Sequence, residues 1–349
     1  MTGKDECVLL EVRVRLAATD RQGGLIMLML SLNSTLTIFV LILLGCLLSF
    51  AGLMRRGADE MLSDYVFYVA LPVEIFLTTL KSDYTPDVNV NTYVQAYGLG
   101  IFVLWVSIFI IYKLCLKKSL VEVGLNFIAV GQTNTAFLAV PIFILLLGDS
   151  ALVVPIIILQ SVVLTSVAIF VMEVSSFSKA GSLGAFLKKA LVVIFKNPLI
   201  ISALAGSLIS QVKLSYMIDT DFFIVESMEM IAATAAPIAL IALGASFYAG
   251  RVASTLKSDC HEIVLGVFIK SFLHPAISFV VGYYFFGLSG LLLFALILIS
   301  AMPSPKNTFI FAQAYSVSVQ KFNLILLATT GVSFFVVNVA SYFFLPYVA

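Results

Sequence analysis

Two apolar stretches of the chain have polar side chains and prolines at their centres. The first reads GQTNTAFLAVP, from Gly131 to Pro141, and the second reads AMPSPKNTFIFAQAY, from Ala301 to Tyr315. An asparagine amide can donate two hydrogen bonds to a carboxylate, and each stretch holds one asparagine, Asn134 or Asn307. The neighbouring polar residues that could add hydrogen bonds are Gln132, Thr133, Thr135 and Thr308. These residue types are suited to holding a small anion.

The prolines of the two stretches, Pro141, Pro303 and Pro305, are expected to interrupt helices inside a membrane. Unpaired backbone groups are costly in hydrocarbon, so such interruptions persist only beside protein or a water-filled cavity. Matching interruptions in two inverted halves are typical of a transporter binding site, where half-helix N-termini attract an anion. The alternative is that the asparagines and threonines only join helices by hydrogen bonds.

Two ionisable residues lie in predicted membrane spans, Lys306 within the second polar stretch and Glu74 in the second span. Lys306 could neutralise a substrate carboxylate or stand in for a coupling cation. The alternative is that Lys306 extends to the membrane interface. Glu74 follows the sequence LPV and could be a proton-coupling carboxylate, or it could pair with a lysine elsewhere.

Three further polar residues lie in other predicted spans. Lys270 and His274 are one helical turn apart, just before Pro275, and His274 could titrate near neutral pH. The alternative for His274 is a hydrogen-bonded packing residue. Gln160 is a candidate to face the same cavity as the polar stretches. Lys270 and His274 are therefore coupling candidates, and Gln160 is a substrate-binding candidate.

The composition indicates that these residues lie in a polytopic helical membrane protein. Of the 349 residues, 61% are hydrophobic and only 11% are charged, and the mean hydropathy is +1.10. Soluble domains carry about 25% charged residues. The balance excludes a soluble enzyme, a nucleic-acid binder and a disordered protein, and the long continuous apolar runs exclude a membrane β-barrel.

Apolar segments of helix length predict ten transmembrane helices, and the fourth and ninth of them contain the two polar stretches. The predicted spans are 34–54, 61–80, 93–115, 124–147, 151–173, 187–211, 222–249, 260–286, 289–315 and 322–346.

Lysine and arginine predict the orientation, because they concentrate in cytoplasmic loops. Alternate loops, beginning after the first span, hold twelve of these charges, and the intervening loops hold only Lys81 and Lys213. The twelve are Arg55, Arg56, Lys113, Lys117, Lys118, Lys179, Lys188, Lys189, Lys196, Arg251, Lys257 and Lys321. A multi-pass protein of the cytoplasmic membrane, with both termini outside, is expected.

The charged segment 1–33 is read as an N-terminal tail. It contains Lys4, Arg13, Arg15 and Arg21, which the predicted orientation would place outside. Two explanations stay open: translation begins at Met27 or Met29, or a short tail is translocated.

The spans divide into two sets of five, which enter the membrane from opposite sides as an inverted repeat. The predicted first repeat is 34–173, the cytoplasmic linker is 174–186, and the second repeat is 187–349. The second span of each half carries a proline, Pro72 or Pro237.

Several motifs together resemble the auxin efflux carrier family, which includes plant auxin exporters and bacterial malate and malonate permeases. They run through most of 34–346: LLGCLLSFAG, LPVEIF, GQTNTAFLAVP, NPLIISALAGSL, APIALIALGASF and MPSPKNTFIFAQAY. The resemblance implies two inverted five-helix repeats, with a scaffold from the first two spans of each half and a transport domain from the last three. It implies an elevator-like movement of the transport domain and a homodimer formed through the scaffold.

The resemblance also assigns roles to individual residues. Asn134 and Asn307 fall at the family's substrate-binding asparagines, and Pro141 matches the crossover proline of the fourth span. Either Pro303 or Pro305 takes that part in the ninth. Glu74 and Lys306 depart from the family's pattern, which usually has apolar residues at these positions.

The sequence therefore predicts a secondary transporter of small organic anions such as malate, malonate or auxin-like acids, coupled to protons or sodium. A sodium-coupled symporter related to bile-acid carriers is the alternative within transporters, and a passive channel is a further one. An enzyme is not expected, because neither a nucleophile with its base nor a GxxxxGK[ST] motif is found. No cofactor or metal is expected either, because the chain has two scattered histidines and four scattered cysteines.

Overall fold

The fold is built from helices. The computed structural model describes residues 21–55, 57–81, 90–180, 198–211, 223–247, 252–306, 308, 311–312 and 315–344. Every regular element within these ranges is helical. The predicted tail before residue 21, residues 181–186 of the predicted linker and Asn307 lie outside them.

The helices follow the apolar segments of the sequence. Several contain a π turn, where the hydrogen bonds run five residues back, and these turns lie at 66–70, 109–115, 135–139, 159–164, 269–273 and 281–285. The helices are α1 (Arg21–Phe50), α2 (58–81), α3 (Val90–Cys115), α4 (Leu120–Ala129), α5 (Thr135–Leu147), α6 (154–180), α7 (Pro198–Gln211), α8 (Phe223–Ser246), α9 (252–285), α10 (Gly290–Ser300) and α11 (Val319–Phe344).

Six helical segments within the described part of the chain are long and apolar enough to cross a membrane. They are Ala58–Leu80, Val90–Cys115, Val154–Met172, Phe223–Ser246, Asp259–Phe285 and Val319–Phe344. The prediction of an all-helical membrane protein is thereby confirmed. Shorter apolar helices lie at the remaining predicted spans, and the count of ten spans stays a prediction.

The predicted fourth span is two helices rather than one. The helix α4 begins at a capping box, in which the Ser119 hydroxyl accepts from the Glu122 N–H and the Glu122 carboxylate accepts from the Ser119 N–H. It ends at Ala129, and α5 begins at Thr135.

The interruption therefore precedes Pro141, which was expected to cause it. Pro141 lies in the first turn of the α-helical part of α5, Val140–Leu147. Its missing N–H is tolerated because the π turn Thr135–Ala139 comes directly before it. In the predicted ninth span, by contrast, Pro303 and Pro305 lie in the non-helical segment after α10.

Two groups of helices can be distinguished by their contacts. In the first group α1 packs on α8, and α2 packs on both α7 and α8. In the second group α4 packs on α6, α9 packs on α3, α10 and α11, and α10 packs on α11. Two helices also contact the first group: α11 packs on α1, and α5 packs on α1 and α8. The first interruption follows α4 and the second follows α10, and both of these helices belong to the second group.

Glycines allow α1 and α8 to approach closely. A Cβ atom at Gly244 would lie 1.8 Å from the Ile42 carbonyl oxygen, and one at Gly45 would lie 2.1 Å from the Ile241 carbonyl oxygen. Small residues at such a crossing let two helix backbones touch, which drives helix association in membranes.

Four charged side chains join the beginnings of α4 and α11 to α9. Lys321, which is buried, lies 2.8 Å from Glu262 and 4.0 Å from Glu122, and Lys118 pairs with both carboxylates. The pKa of Lys118 is raised above its ordinary value, chiefly by the hydrogen bond to Glu262. This network connects three helices of the second group.

Candidate functional site

The two interruptions lie in contact. The Asn134 N–H donates to the Pro303 carbonyl oxygen at 2.9 Å, although the two residues are far apart in the chain. The Asn134 side-chain oxygen accepts from the Phe137 N–H at 3.2 Å and caps the first turn of α5. The positive end of the α5 dipole is therefore formed at this contact.

A cavity of about 120 Å³ lies beside the contact. The first interruption, α5 and α6 supply most of its walls, while α2 and α7 supply one residue each. The lining residues are Phe67, Gln132, Thr133, Asn134, Thr135, Ala136, Phe137, Ile157, Gln160, Ser161, Thr165, Leu199, Pro305 and Lys306. No carboxylate is among these described residues, so the cavity is lined by neutral polar groups, apolar groups and one cation.

Gln160 holds the first interruption in place. It lies in the π turn of α6 at 159–164, its side-chain oxygen accepts from the Thr133 N–H at 2.8 Å, and its amide donates to the Thr133 hydroxyl at 3.0 Å. Both backbone and side chain of Thr133 are therefore satisfied by one residue. Gln160 was expected to face the cavity, and it does so mainly by positioning the cavity wall.

Two side-chain amides at the cavity have nitrogen donors without a hydrogen-bond partner among the described residues. They are the side-chain nitrogens of Gln132 and Asn134, and both are buried. A buried donor without an acceptor costs about 1–3 kcal/mol. An anion or another acceptor entering the cavity would remove this cost.

Lys306 contributes the positive charge of the cavity wall and is 8% exposed. Its ammonium donates to the Ser63 hydroxyl on α2 and, at 3.5 Å, to the Ala242 carbonyl oxygen on α8. It also lies 5.2 Å from the centroid of the Phe137 ring, within cation–π range. Lys306 is therefore buried, and it reaches from the second interruption to the first helix group.

The remaining polar candidates are divided between the site and its surroundings. Thr135 lines the cavity. Thr308 donates from its hydroxyl to the Pro305 carbonyl oxygen at 2.8 Å and does not line the cavity. Asn307 cannot be placed, because it lies outside the described residues.

Glu74 lies at a different place. It lines a separate cavity of about 480 Å³ together with Asp149 and Glu229. Its carboxylate accepts hydrogen bonds from the hydroxyls of Thr78 at 3.2 Å and Ser150 at 3.5 Å. The structure therefore does not bring Glu74 together with Asn134.

Lys270 and His274 form a pair inside the protein. The Lys270 ammonium nitrogen lies 2.8 Å from His274 Nδ1, and both residues are fully buried. The lysine also donates to the Ser300 carbonyl oxygen, at 3.5 Å, at the end of α10. The pair is thus near the second interruption, although neither residue lines the cavity.

Some residues of the site were not identified from the sequence. Ser161 and Thr165 line the cavity from α6, and Thr165 donates from its hydroxyl to the Gln132 side-chain oxygen at 3.4 Å. Tyr97 on α3 lies 3.4 Å from the Thr133 hydroxyl through its own hydroxyl. Ser161 and Thr165 lie on the same helix as Gln160, and this proximity could have marked them as site candidates. Nothing in the sequence marked Tyr97 as a site residue.

Comparison with known proteins identifies the family. A search of curated proteins found no match to the chain. The family model described as "Membrane transport protein" matches residues 30–341, which is most of the chain and includes both interruptions. The chain therefore belongs to the membrane transport protein family, which includes the auxin efflux carriers.

Proposed function

We propose that the protein is a secondary active transporter of small organic anions, with carboxylates bound in the cavity between the two interruptions. The observation that carries the proposal is the pair of unpartnered amide donors on Gln132 and Asn134, which line one cavity with the Lys306 ammonium. A carboxylate accepts hydrogen bonds at both oxygens and balances one positive charge. The N-terminus of α5 adds a favourable dipole at the same place.

The size of the cavity supports a short carboxylate. The cavity of about 120 Å³ is large enough to hold several water molecules, and it therefore has room for a short aliphatic acid such as malonate or malate. Short aliphatic carboxylates are the first substrates to test, and auxin-like acids the second.

The helix contacts support alternating access by movement of one helix group against the other. The contacts of α1 with α8 and of α2 with α7 are those expected if the first two spans of each half form a scaffold related by a two-fold axis. In this proposal the chain has ten spans in two inverted repeats and dimerises through the scaffold. The second helix group carries the anion across the membrane as an elevator.

Counterflow exchange in proteoliposomes tests the proposed site. Vesicles are preloaded with malate, malonate, citrate, an aromatic acid or a neutral solute, and uptake of the labelled compound is followed. We expect saturable exchange of a carboxylate by the wild type. A lost hydrogen bond to a charged group is worth about 1.5–3 kcal/mol, so Asn134→Ala should lower the affinity by roughly one to two orders of magnitude.

Asn126→Ala is the matched control for this experiment. Asn126 is also a buried asparagine, but it donates to the Glu122 carbonyl oxygen within α4 and does not line the cavity. The control should exchange substrate with wild-type affinity. Wild-type affinity in Asn134→Ala, or equal losses in both variants, would contradict the assignment of the site.

A further inference from the structure

The Lys270–His274 pair is a buried basic site that substrate binding leaves unused. Both residues lie at the π turn of α9, at 269–273, and neither has measurable exposure. Within the described part of the chain, no carboxylate forms an ion pair with Lys270, and His274 Nε2 has no hydrogen-bond partner. A positive charge here is therefore balanced by dipoles and not by an acidic side chain.

The dipole that faces Lys270 is the C-terminal end of α10. The Lys270 ammonium donates to the carbonyl oxygen of Ser300, the last residue of α10. The helix dipole is negative at this end. In transporters with interrupted helices, this kind of helix end holds the coupling ion. In this chain a covalently attached ammonium group occupies that position.

The pair can hold at most one charge. Lys270 Nζ and His274 Nδ1 lie 2.8 Å apart, and two cations at that distance repel strongly in a medium of low dielectric constant. A neutral nitrogen of the pair can instead accept the hydrogen bond that the protonated one donates. The pair is thus able to switch between one charge and none by gaining or losing a single proton.

Tyr97 connects the pair to the anion cavity. The ring centroids of Tyr97 and His274 are 6.2 Å apart, and the Tyr97 hydroxyl lies 3.4 Å from that of Thr133 in the cavity wall. Tyr97 thus separates an anion in the cavity from the pair, and a negative charge favours the protonated form of a nearby base. Loss of the anion removes that effect.

Few other titratable groups face the pair from the helices packed against it. The helix α3 contributes Tyr97, with Tyr93 one turn before it. The helix α10 has no ionisable residue, and α11 carries Lys321 and Tyr342 near its two ends. Lys306 lies in the cavity wall itself. Of the groups on these packed helices, the pair is the basic site that is joined to the cavity wall, through Tyr97.

We propose that Lys270 and His274 form the binding site of a coupled proton, so that the protein transports one proton together with the carboxylate. A nitrogen lone pair of the pair takes a proton from water on one side of the membrane and returns it to water on the other side. No other bond is made or broken. The proposal rests on the proposed function, and it implies that a sodium gradient does not drive transport.

The test measures protons and substrate in the same proteoliposomes. A pH-sensitive dye is trapped inside, the membrane potential is clamped with valinomycin and potassium, and external malonate or another carboxylate exchanged in counterflow is added. The wild type should acidify the interior with a stoichiometry of about one proton per carboxylate. An inward sodium gradient should leave the uptake rate unchanged.

Two variants locate the proton. Arginine stays protonated at all accessible pH values, so Lys270→Arg should keep counterflow exchange and lose proton movement. His274→Gln should also keep exchange but weaken proton movement, because a glutamine oxygen accepts from the protonated Lys270 and takes up no proton itself. His261→Gln is the matched control, since His261 lies on the same helix but is exposed, and it should retain both activities.

The possible failures can be told apart. Absence of counterflow in the wild type would refute the proposed function. Counterflow without acidification in the wild type, or stimulation by sodium, would overturn the proton site alone. Normal proton movement in an exchanging Lys270→Arg variant would overturn it as well, and so would loss of exchange in both variants while they remain folded.

Discussion

At the scale of single residues, the site combines polar groups that have hydrogen-bond partners with polar groups that have none. Thr133 is bound at both its N–H and its hydroxyl by Gln160, whereas the amide nitrogens of Gln132 and Asn134 have no partner among the described residues. Because satisfied groups fix the cavity wall, the free donors are presented to the cavity in a defined arrangement. A preorganised set of donors binds an anion without a large reorganisation cost.

Lys306 is the residue whose role in selectivity can be tested most directly. If its ammonium neutralises the substrate, Lys306→Met should weaken the binding of dianions more than that of monoanions, by about tenfold or more for loss of a charge-assisted hydrogen bond. The affinities of malonate and a monocarboxylate of similar size, measured by counterflow, give the comparison.

Ser63→Ala is the control for Lys306, because the Ser63 hydroxyl accepts from the Lys306 ammonium. This variant removes the contact with α2 and leaves the charge. It should keep the selectivity of the wild type. If Ser63→Ala reproduces the effect of Lys306→Met, or if the methionine variant weakens both anions equally, Lys306 acts as a structural contact between helix groups.

At the scale of elements, the position of the interruptions follows from hydrogen bonding more than from proline alone. The π turn at Thr135–Ala139 lets α5 continue through Pro141, and the non-helical residues come before it. The proline pattern therefore predicted that the fourth span is interrupted, but it did not predict the position. The polar residues 132–134 were the better guide, because exposed backbone groups in a membrane need polar neighbours.

Close packing of α1 on α8 gives a prediction about stability. Gly244→Ala places a methyl group 1.8 Å from the Ile42 carbonyl oxygen, and overpacking of this kind costs about 1–3 kcal/mol. We expect a lower melting temperature in detergent, measured by size-exclusion chromatography after heating. A melting temperature equal to that of the wild type would contradict the prediction, because it would show that α1 and α8 can move apart without a loss of stability.

The control for this prediction is Gly331→Ala on α11. A Cβ atom at Gly331 would have no atom within 4 Å. Alanine also favours a helix over glycine by about 1 kcal/mol. The melting temperature of this variant should therefore be unchanged or slightly higher.

At the scale of the whole molecule, the distribution of lysine and arginine predicts the orientation in the membrane. Cys115 and Cys260 are exposed and lie next to loops predicted to be cytoplasmic. In a variant that retains only these two cysteines, a membrane-impermeant maleimide should label inverted vesicles and not intact cells. The physical reason is that positively charged loops are retained on the cytoplasmic side.

Asp149→Cys in a background without other cysteines gives the opposite control. Asp149 is exposed between α5 and α6, in a loop predicted to lie outside. This cysteine should be labelled in intact cells. Labelling of Cys115 from outside, or of the introduced cysteine only from inside, would reverse the predicted orientation.

The sequence by itself determined the class of protein, the helical content and the two polar stretches. These properties depend on residues that are close together in the chain, because hydropathy and helix hydrogen bonding are local. The residues Asn134, Gln132, Gln160 and Lys306 could be selected as site candidates for the same reason, since polar groups in apolar segments are conspicuous.

Only the tertiary structure decided which of these residues meet. It brings the Asn134 N–H to the Pro303 carbonyl oxygen and places Lys270 at the end of α10. It directs Lys306 to Ser63 and assigns Glu74 to a separate cavity. These contacts join helices that are distant in the chain, and they depend on how whole helix surfaces pack against each other, which no local pattern contains.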